Sequence, residues 1–460
     1  MPRTVEADYL VVGAGATGMA FTDALVDHAD VRVAVVDRRH GPGGHWLDAY
    51  PFVRLHQASA FYGVASTLLG SGRVQDHGPE AGLQERASAV EIRAYYDRVL
   101  AERLVGSGKV EFLACCEYLG EQEIVSRISG RRLRVSPSCR VVDAHYLAPG
   151  VPADTRPPFE VLDGAHVIPV NELAAVQEPP RQYVIIGSGK TATDACIWLL
   201  AAGVDADAIC WVRPRDPWMF NRAVVQPDPA VFTAMAADTM QAAAAAYSLD
   251  DLFLRLEDAG VMVRIDRSVL PTMAKTPTLA TWELERLRTV EQVVRLGHVR
   301  RVEPGRMTLD DGSIALARDT LIVHCAAQGL RYAPLVPIWG PAAITLQPIR
   351  AGFPCFAAAL TGYVEATRSD DTEKNRLCPP SPYPNTPASW ARMTVLGTRA
   401  AMSFGSEPDI KAWTNRVVLN PARISPENAG SAELDDALDR LQSHVTAGLA
   451  KLTELARTTA

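Results

Sequence analysis

Two short stretches of this sequence have a spacing that can do chemistry: Gly13-Ala14-Gly15-Ala16-Thr17-Gly18 and Gly187-Ser188-Gly189-Lys190-Thr191-Ala192. Each follows an apolar run rich in β-branched residues and opens a helical stretch. In such a turn the first glycine allows the sharp bend and the second lets the backbone approach a pyrophosphate. The third small residue lets helix and strand pack closely, and the helix N-terminus faces the phosphates. Gly189-Lys190-Thr191 can also be read as the end of a triphosphate-binding loop. That loop needs a glycine five residues before Gly189, where this chain has Val184, so the dinucleotide reading is preferred.

The strand that follows each loop ends differently. After the first loop, a helix to about His28 and a strand over 31–36 lead to Asp37, twenty-four residues after Gly13, with Arg38 beside it. An acid there accepts hydrogen bonds from ribose hydroxyls and disfavours a 2′-phosphate, which points to FAD or NAD. After the second loop, a helix capped near Gly203 and a strand in "AICWVRPRDPW" (208–218) lead to Arg213 and Arg215 with no acid at that strand end. Guanidinium groups suit a 2′-phosphate, although they also occur as solvated loop charges. An acid in one unit and arginines in the other is what one FAD site and one NADPH site require.

The elements that must hold these loops give an α/β chain with two Rossmann-like dinucleotide-binding domains, the NADPH domain inserted in the FAD domain. Expected boundaries are 1–160 for the first part of the FAD domain, 161–320 for the NADPH domain, and 321–460 for the return to the FAD domain with a C-terminal helix. The Pro-rich "PGVPADTRPPF" (149–159) marks the crossing out. A helical insertion is expected over about 217–297, with Ser248 as an N-cap, Gly260 as a helix stop, and a further helix over 281–297. It would cover an active site or serve dimerisation, which leaves homo-oligomer formation open. The polar, proline-rich stretch 368–388 reads as a surface loop, and 432–455 as an amphipathic helix docked on the body.

With both loops in place, the chain resembles the flavin-containing and Baeyer–Villiger monooxygenases, a class of FAD- and NADPH-dependent enzymes. In "GPGGHWLDAYPFVRL" (41–55), Gly43, Gly44, Trp46, Tyr50, Pro51 and Arg54 match the segment that passes along FAD in Baeyer–Villiger enzymes, with the Trp-to-Tyr interval one residue shorter. "RPRDPW" resembles their arginine turn for the NADPH 2′-phosphate. Ala327-Gln328-Gly329 stands where their chain re-crosses to FAD. The family fingerprint before the second loop is irregular: Phe159, Gly164 and His166 are present at other spacings. The Asp expected two residues after the arginine is His56.

The resemblance implies that NADPH reduces FAD and that reduced flavin meets molecular oxygen at its C4a carbon, giving a peroxyflavin that oxygenates a small organic substrate. Arg54, His56 and Gln57 are the expected catalytic residues beside the flavin. His45 is placed at the flavin or in a plain turn, and Trp46 at the adenine side or in the core. A flavoprotein oxidase or dehydrogenase, whose substrate itself reduces the flavin, is the alternative.

The 460 residues suffice for two or three domains. A net charge of −7 without a basic tract argues against nucleic acid as partner. No stretch suits a membrane span or a signal peptide, so a cytoplasmic location is expected. The eight cysteines form no Cys-x-x-Cys pair and no zinc spacing, and no metal is expected.

Overall fold

The computed structural model describes residues 3–326, 331–350 and 352–457. Short, mostly apolar strands form two parallel five-stranded sheets, each with a central strand that runs into a glycine turn, and buried on both faces as a parallel sheet must be. The first has the order Ile344–Thr345, Arg140–Asp143, Tyr9–Val12, Val33–Val36, Val110–Leu113, with all neighbours parallel. The second has the order Val167–Pro169, Thr320–His324, Gln182–Ile186, Ile209–Val212, Val293–Val294, again all parallel.

The two units are built alike. In each, a central strand runs into a glycine loop and a helix (Ala16–His28 or Lys190–Ala201), and the next strand pairs alongside. An antiparallel excursion then precedes the return strand: Cys116–Gly120, Glu123–Ser126 and Arg132–Val135 in the first unit, Val299–Glu303, Arg306–Leu309 and Gly312–Ala315 in the second. A two-residue turn, Asp310-Asp311, joins the last two of these strands, with Leu309 opposite Gly312. The second sheet lies wholly between the strands of the first in chain order. It extends to His324, past the boundary at 320 read from sequence, and the first sheet is regained only at Ile344.

The insertion over 217–297 is mixed rather than helical. Strands Pro217–Asn221, Met262–Arg264 and Met273–Leu279 form a small sheet beside helices Pro229–Ala245 and Leu249–Asp258. Ser248 caps the second helix by accepting from Asp251 N at 3.1 Å, and Gly260 follows it at φ 73°. The helix expected over 281–297 stops at Arg288, because Val293–Val294 forms the edge strand of the second sheet, where β-branched residues are favoured.

The stretch 368–388 is not a plain surface loop. Asp371–Leu377 is helical, Lys374 is buried against Glu365 at 2.6 Å, and Cys378 and Ser381 are buried. The C-terminal helix Ala432–Leu455 packs along Pro229–Ala245 and Pro387–Gly405. Gly448 makes that approach feasible, since a Cβ there would lie 2.6 Å from the carbonyl oxygen of Met240. Among the described residues no helix is long and apolar enough to cross a membrane.

Candidate functional site

The first glycine loop is sterically fixed. Gly13 has φ 113°, and a Cβ on it would lie 2.7 Å from His145 Nε2. A Cβ on Gly18 would overlap the carbonyl oxygen of Gly13. Gly15 precedes the helix without a capping side chain, leaving the first-turn N–H groups for an anion. Asp37 is 2% exposed; its Oδ2 accepts from Ala14 N at 2.7 Å and its Oδ1 from Arg39 N at 2.8 Å. Arg39 pairs with Asp48 at 2.5 Å, which anchors the next segment, Gly44–Asp48.

These residues border a cavity of about 780 Å³ that includes Gly15, Thr17, Asp37, Arg38, Gly44 and His45. The cavity continues to Gln347, Pro348, Pro354, Ala358 and Tyr383. Tyr383 is informative: its hydroxyl is buried without a hydrogen-bond partner among the described residues. A buried polar atom left in this way suits a ligand. His45 is held to about 4 by burial first and the nearby Arg39 cation second, so it is neutral at physiological pH. Trp46 lies against His45, ring centroids 4.9 Å apart, and packs at the margin of both the first and the second domain cores.

Arg54, His56 and Gln57 are neighbours in sequence but go to different places. Arg54 is exposed, and its Nη1 donates to the carbonyl of Arg86 at 2.9 Å. His56 Nε2 lies 3.1 Å from Tyr62 Oη, while its Nδ1 is buried without a partner among the described residues. Burial, then the charges of Lys190, Arg222 and Arg86, lower the His56 pKa to about 3. The backbone carbonyl of His56 is clasped by Arg222 Nε at 2.9 Å and by the hydroxyl of Thr278. Gln57 is buried and borders a second, larger cavity.

Sequence reasoning missed the cluster that does the clasping. Arg222 is fully buried and bonds Glu80 Oε1 and Glu283 Oε2, both at 2.6 Å, and Glu80 also pairs with Arg86. It ties the first domain to the insertion. The available signal was a lone arginine in the apolar run "WMFNRAVV".

Around the second loop, Gly187 has φ 137°, and its carbonyl accepts from Trp211 Nε1 at 2.8 Å. The Ser188 hydroxyl is buried and without a partner among the described residues. Lys190 pairs with Asp194, whose other oxygen accepts from Tyr50 Oη at 2.7 Å. Thr191 lies in the first turn of the helix that starts at Lys190. Arg213 is 2% exposed, lies 4.6 Å from the Trp211 ring centroid, and pairs with Asp216 at 3.3 Å. Its Nε and Nη1 are buried and without partners among the described residues. Arg215 instead bonds the carbonyls of Thr272 at 2.7 Å and Asn385 at 3.2 Å. Ala327, Gln328 and Gly329 lie outside the described residues.

All eight cysteines are free, and all but Cys115 are buried. Burial pushes the Cys325 thiol well above its ordinary value. Among the described residues no group of His, Cys, Asp or Glu is placed to hold a metal.

The fold and site therefore define a protein of two nested dinucleotide-binding-type domains. Residues 11–70 match the family model described as NAD(P)-binding Rossmann-like domain. The chain is 41% identical over 421 residues to "Uncharacterized protein Rv2000" of Mycobacterium tuberculosis, covering 91% of this chain and 78% of that one, and belongs to the same family. Among solved structures it is similar to a mutant flavin monooxygenase from Stenotrophomonas maltophilia, at 15% identity, TM-score 0.48, and coverage of 80% and 98%. Cyclohexanone monooxygenase from Rhodococcus sp. Phi1 bound to NADP+ is similar at 13% identity, TM-score 0.47, and 98% of both chains.

Proposed function

We propose that the protein is an FAD-dependent, NADPH-using monooxygenase that oxygenates a small organic molecule. One observation carries this reading: residues 347–350 and 352–358 form a wall with a different cavity on each side. Gln347, Pro348, Pro354 and Ala358 face the glycine-loop cavity, while Arg350, Gly352 and Phe353 face the larger, apolar one of about 1090 Å³. A cofactor held by Gly13, Gly15, Asp37 and Gly44 would thus lie one chain's thickness from a chamber of the size and apolar character of a substrate pocket.

Bound FAD would supply the redox chemistry, taking a hydride from NADPH and using oxygen so that one atom enters the substrate and the other leaves as water. The chain's own residues hold and shield. The helix N-terminus at Gly15 would meet the pyrophosphate and Asp37 the ribose, and Tyr383, whose hydroxyl has no partner among the described residues, would hydrogen-bond the cofactor. At the second loop, Ser188 Oγ and the unpartnered nitrogens of Arg213 are the donors this reading assigns to a nicotinamide dinucleotide phosphate, and Arg213, buried here, would have to turn outward to meet it. His56, neutral and bonded to Tyr62, is a hydrogen-bonding group rather than a cation, and its carbonyl is held by Arg222. Phe220, Phe232 and Trp390 exclude water from the chamber.

A second reading has a specific support. Lys190 and Arg213 already have carboxylate partners, Asp194 and Asp216, and Arg213 is nearly inaccessible. An oxidase or dehydrogenase whose substrate reduces the flavin would leave the second loop in this paired state. Mixing the purified flavoprotein with NADPH without oxygen separates the two: flavin bleaching supports the first reading, and bleaching only by an organic substrate supports the second.

A further inference from the structure

The larger cavity has a chemical bias. Its walls are largely apolar, formed by Phe232, Met240, Phe353, Trp390, Met393 and Val445. Among its described lining residues Arg350 is the only cation. Asp435 and Asp439 also line it, both exposed on the C-terminal helix, which places them on its outer side.

Arg350, half-buried and facing the cavity, differs from the buried arginines of the chain. Arg222 has Glu80 and Glu283, Arg86 has Glu80, and Arg213 has Asp216. Arg350 has no carboxylate in ion-pair range among the described residues. Its Nη1 reaches only Asn420 Oδ1, at 3.3 Å, and its guanidinium lies 6.0 Å from the Phe232 ring centroid. Burial lowers its pKa to about 10, so it remains a cation at neutral pH. An enclosed charge without a counter-ion is costly, and an anionic ligand would remove that cost.

We propose that this cavity takes an organic carboxylate, with its apolar body against the aromatic and methionine walls and its anionic group on Arg350. This deepens the monooxygenase reading by naming its substrate class, and it rests on that reading only in taking the cavity as the substrate chamber. The negative rim at Asp435 and Asp439 orients such a molecule acid-end inward, toward the wall shared with the glycine-loop cavity. Gln57, on the same lining, offers an amide donor to the same end of the ligand or to its body.

The test is binding, measured by calorimetry on the oxidised flavin-loaded protein with no NADPH present. The probes are matched acids and amides: dodecanoate with dodecanamide, and 2-naphthoate with 2-naphthamide. The expected result is at least one acid bound about tenfold or more tighter than its amide, an advantage lost in Arg350→Gln while amide binding persists. Arg350→Lys, which keeps the charge but not the bidentate fork, should retain part of the preference and decides the matter should the glutamine variant fail to fold. If neither acid outbinds its amide, or the preference survives unchanged in these variants, the proposal is overturned. Because no NADPH is used, a failure of flavin reduction leaves this result untouched.

Discussion

Gly15 and Gly44 meet at the lining of the first cavity: a Cβ on Gly44 would lie 3.0 Å from the Cα of Gly15. Twenty-nine residues apart, the two glycines bring the glycine loop and the segment after Asp37 backbone to backbone, and both share one wall of the cofactor-sized space. Gly44 also sits at φ 60°, where a side chain is strained. Gly44→Ala should therefore keep the fold and weaken flavin retention by about tenfold, roughly 1.4 kcal/mol of binding free energy. The measure is the ratio of flavin absorbance to protein absorbance after dialysis. Full retention would mean that this close approach is not needed.

The Arg222–Glu80–Glu283 cluster predicts a stability effect. Burial raises the Glu80 pKa, but the hydrogen bond and charge of Arg86, with Arg222, outweigh it and hold the group at about 2. Its folded pKa is depressed, so its contribution is present above the ordinary carboxylate range and is lost as pH falls toward 2. Glu80→Ala leaves Arg222 with one fewer partner in a fully buried site and should cost about 3–5 kcal/mol in a urea titration at pH 7. A cost below about 1 kcal/mol would show that the cluster contributes specificity rather than stability.

For His56 the sign follows from its lowered pKa. The folded protein keeps it neutral to about 3, while the unfolded chain protonates it near 6.5, so its contribution is present above about 6.5 and is lost as pH falls through that window. At pH 5 the expected loss is about 2 kcal/mol relative to pH 7, at 1.36 kcal/mol per unit. His56→Gln should flatten the stability profile between pH 7 and 5 by that amount. Flavin reduction should show no inflection from His56 between pH 6 and 8.

Much of the scaffold was legible in the sequence, because it depends on local rules. The strands Tyr9–Val12 and Gln182–Ile186, the helix end at His28 and the cap at Ser248 each follow from periodicity or from a residue with one conformational use. The small sheet in the insertion was not legible, since Pro217–Asn221 and Met273–Leu279 pair across more than fifty residues. Nor was the helical stop at Arg288, where sheet pairing of Val293–Val294 overrides a helical period. At the site, the glycines and Asp37 announce themselves by spacing. Arg222 and Arg350 do not, because their meaning lies in which carboxylates are or are not within reach after folding.

The two arginines after the second loop make separable predictions. Arg213→Ala removes a cation from the Trp211 face and a partner from Asp216, and should lower stability as well as NADPH use. Arg215→Ala frees only neutral acceptors, the carbonyls of Thr272 and Asn385 and the Thr272 hydroxyl. Recognition of a 2′-phosphate requires that at least one of them raise KM for NADPH about tenfold while leaving NADH unchanged, a loss of about 1.4 kcal/mol. Equal effects on both nucleotides would place the arginines in structure alone.

The most direct measurement is anaerobic mixing of the purified yellow protein with NADPH, followed at the flavin visible band. Rapid bleaching, much slower with NADH, followed on admitting air by oxygen uptake coupled to oxygenation of a bound carboxylate, is the expected result. A folded protein that holds FAD and does not bleach with NADPH would contradict the monooxygenase reading.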